Sequence, residues 1–158
     1  MEQLQRINKI RKDEVKKYEI DQTTDWLKSI LIELLEDSGH GSDDLEGSEI
    51  KLSINLDKEH FEEYGEVLFC EGNISIKYTD ISVQTGDPIE QKLEIPVSCA
   101  FLEAFNEKKH QLEEEITIFF DEQEWDLYYY KKNTADFLPV VHEYVFLNKN
   151  PYPGISNE

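Results

Sequence analysis

Between positions 67 and 101 apolar and polar residues alternate with a period of two. In the first arm Leu68, Cys70, Ile74, Ile76 and Tyr78 share one parity, with Gly72 among them. In the second arm Ile89, Leu93, Ile95, Val97, Cys99 and Phe101 take odd positions, and Gln91 is the polar exception. Glu90, Lys92, Glu94 and Ser98 lie between them. Successive side chains on a strand point to opposite faces, so each arm predicts a long strand with one dry face. Gly86-Asp87-Pro88 supplies turn chemistry between the arms. The expectation is an antiparallel hairpin with its loop within 82–88.

Other segments attach to this hairpin. Residues 23–36 predict a helix, with Thr23 or Thr24 as cap, Asp25 at the positive end of the dipole, and Trp26, Leu27, Ile30, Leu31, Leu34 and Leu35 as one apolar stripe. Residues 37–48 have loop composition, acidic and rich in Gly and Ser. Ile50, Leu52, Ile54 and Leu56 predict a half-buried strand. Residues 58–65 read as a charged connection with a helical turn around Phe61 and Tyr64, and 103–115 as a second polar connection. Ile116, Ile118 and Phe120 alternate as a strand, and so do Trp125, Leu127 and Tyr129 before Lys131-Lys132-Asn133. A last helix is predicted over 136–147, capped by Thr134 or Asp136, with Phe137, Leu138, Val141, Tyr144 and Val145 inward. The prolines at 151 and 153 stop it. Near the N-terminus, Ile7 and Ile10 suit a helical turn and residues 16–20 a short strand.

Together these elements predict an α+β fold: an antiparallel β-sheet built on a long central hairpin and covered by two amphipathic helices. The chain divides into a basic N-terminal segment (1–20), one domain (21–154) and a free tail (155–158). Its 158 residues suit a single core. No apolar run approaches a membrane span, the first residues lack a secretory h-region, and two cysteines make no disulfide framework. A cytoplasmic, reduced protein with no membrane contact is expected.

Charge narrows the partners. The net charge is −19, unevenly spread. Residues 1–20 hold six basic and four acidic groups, whereas 21–158 hold ten basic and 31 acidic. Such a field repels phosphate backbones, which excludes DNA and leaves RNA contact weak or indirect. The cluster available to phosphate is Arg6, Lys9, Arg11, Lys12, Lys16 and Lys17. A basic protein is the easier partner.

Catalytic patterns are missing from the sequence. There is no phosphate-binding glycine loop and no Gly-x-Ser-x-Gly elbow. His40, His60, His110 and His142 stand at no metal-ligand spacing, although His40 lies among carboxylates. Acid pairs such as Glu62-Glu63 and the run Glu113-Glu114-Glu115 are what so acidic a chain contains by chance. A non-enzymatic protein without cofactors is expected. Cys70 and Cys99, on facing arms, read as buried reduced thiols, the alternative being a regulatory disulfide.

Three stretches resemble the YceD family, a bacterial and plastid group associated with accumulation of large-subunit ribosomal RNA. Residues 67–78 are similar to the family's strand with a v-x-G-x-i-x-v pattern, Gly72 on its glycine. Gly86-Asp87-Pro88-Ile89 leads into the next strand as in the family. Asp136-Phe137-Leu138-Pro139-Val140-Val141-His142-Glu143, with Val145, Leu147, Pro151 and Pro153, resembles the C-terminal family pattern D-L-x-x-x-v-x-E-x-l-x-L-x-x-P-x-x-P. The likeness in element order runs from about residue 20 to 154. Many members carry Cys-x-x-Cys at the hairpin loop; residues 79–85 here have no cysteine, so no metal or redox role transfers. The resemblance implies a factor in large-subunit ribosome biogenesis whose partner is a ribosomal or ribosome-assembly protein. The alternative is an acidic interaction module shielding a basic partner. Asp136, Glu143, Pro151, Tyr152 and Pro153 are the candidate docking residues, with Tyr152 as aromatic anchor; the competing reading is that the prolines pin the tail.

Overall fold

The computed structural model describes residues 1–39, 45–105, 119–120 and 123–154. In chain order the elements are β1 (Leu4–Arg6), a 3-10 turn (Ile7–Lys9), β2 (Lys16–Asp21), α1 (Asp25–Asp37), β3 (Glu49–Phe61), β4 (Gly65–Ile81), β5 (Pro88–Glu103), β6 (Phe119–Phe120), β7 (Gln123–Glu124), β8 (Asp126–Tyr130), β9 (Thr134–Asp136) and α2 (Phe137–Asn148). The fold is α+β.

The predicted hairpin is the centre of a five-stranded sheet ordered β2-β3-β4-β5-β8. Ile74 pairs with Ile95, Cys70 with Cys99, and Ile76 with Leu93. The loop closes through Ser82 N–H to Asp87 O and Gly86 N–H to Ser82 O, both 2.8 Å, with Gly86 at φ +74°. The apolar parity of β3 and β4 and the odd parity of β5 meet α1 and α2 in one core. All six predicted stripe residues of α1 are buried there, beside Phe137, Val141 and Val145 of α2. Asp136 caps α2 as expected, its Oδ1 accepting from Leu138 N–H at 3.1 Å. At α1 Thr24 takes the cap position without a side-chain bond, and Thr23 instead bonds Asp21 through its N–H (2.9 Å) and hydroxyl (2.6 Å). Those bonds hold the exposed Asp21 carboxyl below its ordinary pKa.

The outermost pair differs from a wholly antiparallel sheet, because β8 runs parallel to β5. A polar set stitches this edge. Gln123 Nε2 donates to Ser98 Oγ at 2.6 Å, and the Tyr144 hydroxyl bridges the Asp126 carboxylate and the Ser98 backbone. Parallel partners need a long crossover, here residues 104–125, so local periodicity carries no sign of their direction.

β3 continues to Phe61, past the expected charged connection. Lys58 falls on the core parity yet is only 7% exposed, and its ammonium donates to Ile7 O at 2.9 Å. The chain reverses at 62–64, and Gly65 stands at φ +76°. A second apolar cluster lies on the other face of the sheet. Val67, Phe69, Ala100 and Leu102 pack there with Phe61, Tyr64, Trp125, Leu127 and Tyr129. Phe69 and Trp125 rings stand 5.0 Å apart. The hairpin therefore has two dry faces at this end rather than one.

Residues 1–20 belong to the same body. β1 pairs with β9, β2 is an outer strand of the main sheet, and Ile7 and Ile10 are buried in the main core. The turn joining β8 to β9 places Lys132 and Asn133 at φ +51° and +63°, the twist that favours tight hairpins. Asn133 O then accepts from Ile7 N–H at 2.9 Å. Of the strand expected at 116–120, Phe119–Phe120 is described, paired with Gln123–Glu124. His40, Gly41, His110, Glu113, Glu114, Glu115, Ile116, Ile118 and the tail 155–158 lie outside the described residues.

Candidate functional site

The C-terminal segment after α2 folds back on the hairpin loop. Val83 N–H donates to Pro153 O at 2.9 Å, and Tyr152 N–H to Asn150 Oδ1 at 3.0 Å. Gly154 stands at φ +86°, where a Cβ would meet Ser82 Oγ at 2.3 Å. Two contacts latch α2 to α1: His142 Nε2 lies 3.0 Å from Glu33 Oε2, and Lys149 Nζ pairs with Asp37. His142 also stacks on Phe146 at 4.3 Å. Between the end of α1, residues 80–83 and residues 146–153 lies a cavity of about 510 Å³, lined by Asp37, Asp80, Val83, Phe146, Lys149 and Pro153 among others.

Asp80 is the unusual member. It follows Tyr78 on the core parity of β4 and is 5% exposed. Its Oδ1 accepts from Ile81 N–H at 2.8 Å, but its buried Oδ2 has no hydrogen-bond partner among the described residues. The Tyr78 hydroxyl is also buried and, among the described residues, unpartnered. Burial first, then the carboxylates of Asp80 and Asp37, push its pKa up to about 12. An unpartnered buried carboxylate oxygen is costly, and natural structures carry few. The sequence signal was available: an acid continues the apolar parity Leu68, Cys70, Ile74, Ile76, Tyr78. Nothing local distinguishes it from a residue beyond the strand's end, so pattern reading passed over it.

The candidate docking residues divide between the two ends of α2. Asp136 caps its start and also accepts from Gln3 Nε2 at 3.0 Å. Pro151, Tyr152 and Pro153 lie beyond its end, about 18 Å away for twelve residues at helical rise. Pro151 and Tyr152 are exposed and Pro153 is buried. Glu143 is exposed, and burial first, then the nearby Glu143 carboxylate, raise the Tyr128 hydroxyl above its ordinary pKa.

The six basic residues also separate. Arg6, Lys9 and Lys16 line a groove of about 610 Å³ with Tyr18 and Met1. Lys12 pairs with Glu66 at 3.2 Å, and Lys17 stands on the opposite face of β2 from Lys16. Arg11 is exposed. Burial raises the Glu66 carboxyl, but its bonds with Lys12 and His60 outweigh this and leave it below its ordinary pKa. Cys70 and Cys99 are free, buried thiols opposite one another, and burial pushes Cys70 well above the usual thiol range.

Among the described residues no group of three or more His, Cys, Asp and Glu side chains is arranged to hold a metal. Among them also, no helix is long and apolar enough to cross a membrane. In comparisons with protein-family models, curated proteins and solved structures, none matches the chain.

Proposed function

We propose that this protein is a non-enzymatic, cytoplasmic binding module that engages a basic protein through the end of the molecule built from residues 80–83 and 146–153. The observation that carries the reading is where exposed apolar side chains collect. Of the seven large hydrophobic residues exposed among those described, Ile81, Val83, Leu147 and Tyr152 belong to these two segments. Tyr152, 60% exposed, is held by its own N–H on Asn150 Oδ1 and by the Val83 N–H bond to the adjoining Pro153 O. Exposed apolar side chains gathered on a rigid support favour a protein contact, and aromatic anchors dominate such contacts. The strongly negative body selects basic partners and speeds their approach.

The likeness of 67–78, 86–89 and 136–153 to the YceD family supplies the setting: large-subunit ribosome biogenesis, with a ribosomal or ribosome-assembly protein as partner. An acidic module shielding a basic protein outside ribosome assembly is the second reading, favoured by the same charge. The test is recovery of partners from lysate, with and without nuclease, by wild type and by the double variant Glu143→Ala, Tyr152→Ala. Basic large-subunit proteins retained after nuclease and lost from a folded double variant are expected. Retention by a folded double variant removes these residues from the interface. Exclusive recovery of non-ribosomal basic proteins favours the second reading.

A further inference from the structure

We infer that the cavity between α1, the hairpin loop and the C-terminal segment is a receptor for one arginine side chain of a basic partner, with the Asp80 carboxylate as its acceptor. The inference rests on the proposed binding of a basic protein and names the chemistry of its anchor.

The charges lining the cavity do not cancel. Among the described residues of the lining, Asp37 and Asp80 supply two carboxylates against the one ammonium of Lys149, and Lys149 is already paired with Asp37. Asp80 brings to this lining a carboxylate with one oxygen that no donor among the described residues reaches. A ligand bringing an N–H donor and a positive charge removes both deficits at once. The rest of the lining suits a carbon stem: Ile81, Val83, Phe146, Pro151 and Pro153 present apolar surface. A small hard cation fits poorly, because it needs six or more oxygens and the described residues of this wall offer one carboxylate outside the Lys149 pair. A guanidinium fits better than an ammonium. It is weakly hydrated, presents donors in a planar fork, and stacks on aromatic rings such as Phe146. The cavity volume lies within the range of about 300–1,000 Å³ usual for small ligands, ample for one side chain.

The test titrates the full chain with N-acetyl-arginine-amide and follows backbone amide resonances of residues 80–83 and 146–150. N-acetyl-citrulline-amide, similar in shape but uncharged, and magnesium chloride are the comparison ligands. Saturable shifts confined to these segments are expected with the arginine probe, with binding at least about tenfold weaker for citrulline and for Asp80→Asn. Lys149→Met, which removes the competing ammonium and frees Asp37, is expected to tighten binding several-fold. Absence of saturable shifts, an equal response to citrulline, or saturation by magnesium in place of arginine overturns the inference. If Asp80→Asn does not fold, the Lys149→Met titration decides, and unchanged or weaker binding there overturns it. Arginine binding without recovery of any basic protein leaves the receptor standing and removes the proposed function. Undiminished recovery of basic proteins by folded Asp80→Asn does the reverse.

Discussion

Gly72 of β4 lies so close to Ser53 of β3 that a Cβ built on it would stand 1.9 Å from the Ser53 carbonyl oxygen and 2.8 Å from Ile54 Cα. Both obstacles are backbone, so no rotamer change relieves them. Gly72→Ala is expected to destabilise the protein by on the order of 3 kcal/mol, the upper part of the range for overpacking. Urea denaturation measures it. A midpoint equal to wild type would show that β3 and β4 separate freely at this point.

Ile76 and Ile95 lie on the core parity of β4 and β5, each 3% exposed. Replacing either with Ala removes buried carbon and leaves a cavity under the helices. A loss of roughly 2–5 kcal/mol is expected for each. Ser75 and Glu94, the partner pair on the opposite face, are exposed enough to bond one another in solvent at 2.6 Å. Ser75→Ala is expected to change stability by less than about 1 kcal/mol. The contrast between the two faces tests the register more sharply than either value alone.

Stability is expected to fall at alkaline pH. Burial, followed by nearby carboxylates, raises Tyr78 and Tyr130 to about 12, and the hydroxyls of Tyr128 and Tyr144 are also raised. The unfolded chain releases these protons first, from the ordinary value of 10.0, so above that pH it binds fewer protons than the native state. The stability these groups contribute is complete below pH 10.0 and declines as pH rises toward about 12. Denaturant midpoints measured upward from neutral pH check the sign. Tyr78→Phe removes a buried hydroxyl that has no partner among the described residues, so at neutral pH it is expected to be neutral or stabilising by about 1 kcal/mol, with a shallower alkaline decline.

Contact with RNA, if made, falls to the groove holding Arg6, Lys9 and Lys16. Deleting residues 1–20 is a poor test, since it strips β2 from the sheet and Ile7 and Ile10 from the core. The triple variant Arg6→Gln, Lys9→Gln, Lys16→Gln keeps those elements. Wild type is expected to bind a ribosomal RNA fragment only at low salt, losing it at physiological salt, and the triple variant at neither. Fluorescence anisotropy reads this directly. Binding by the triple variant equal to wild type would overturn the charge argument.

The alternation of Leu68 to Tyr78 against Ile89 to Phe101 determined the central hairpin, its loop and its inward face by itself, because a one-residue slip would turn every buried side chain toward water. The stripe from Trp26 to Leu35 and the Asp136 cap determined the two helices, since both signals act within one turn. Partners brought from far along the chain were decided by tertiary structure alone. Lys58 is buried because the fold delivers the Ile7 carbonyl to it. β8 lies parallel to β5 because Gln123, Tyr144 and Asp126 meet Ser98 there. Phe69 meets Trp125 in a second core, on the face that the parity of β4 and β5 marks as wet. Asp80 shows the same division: its parity is written in the sequence, but its missing donor appears only when α1, the hairpin loop and the C-terminal segment converge around it. Periodicity records which way a side chain points and carries no information about what waits on the other side.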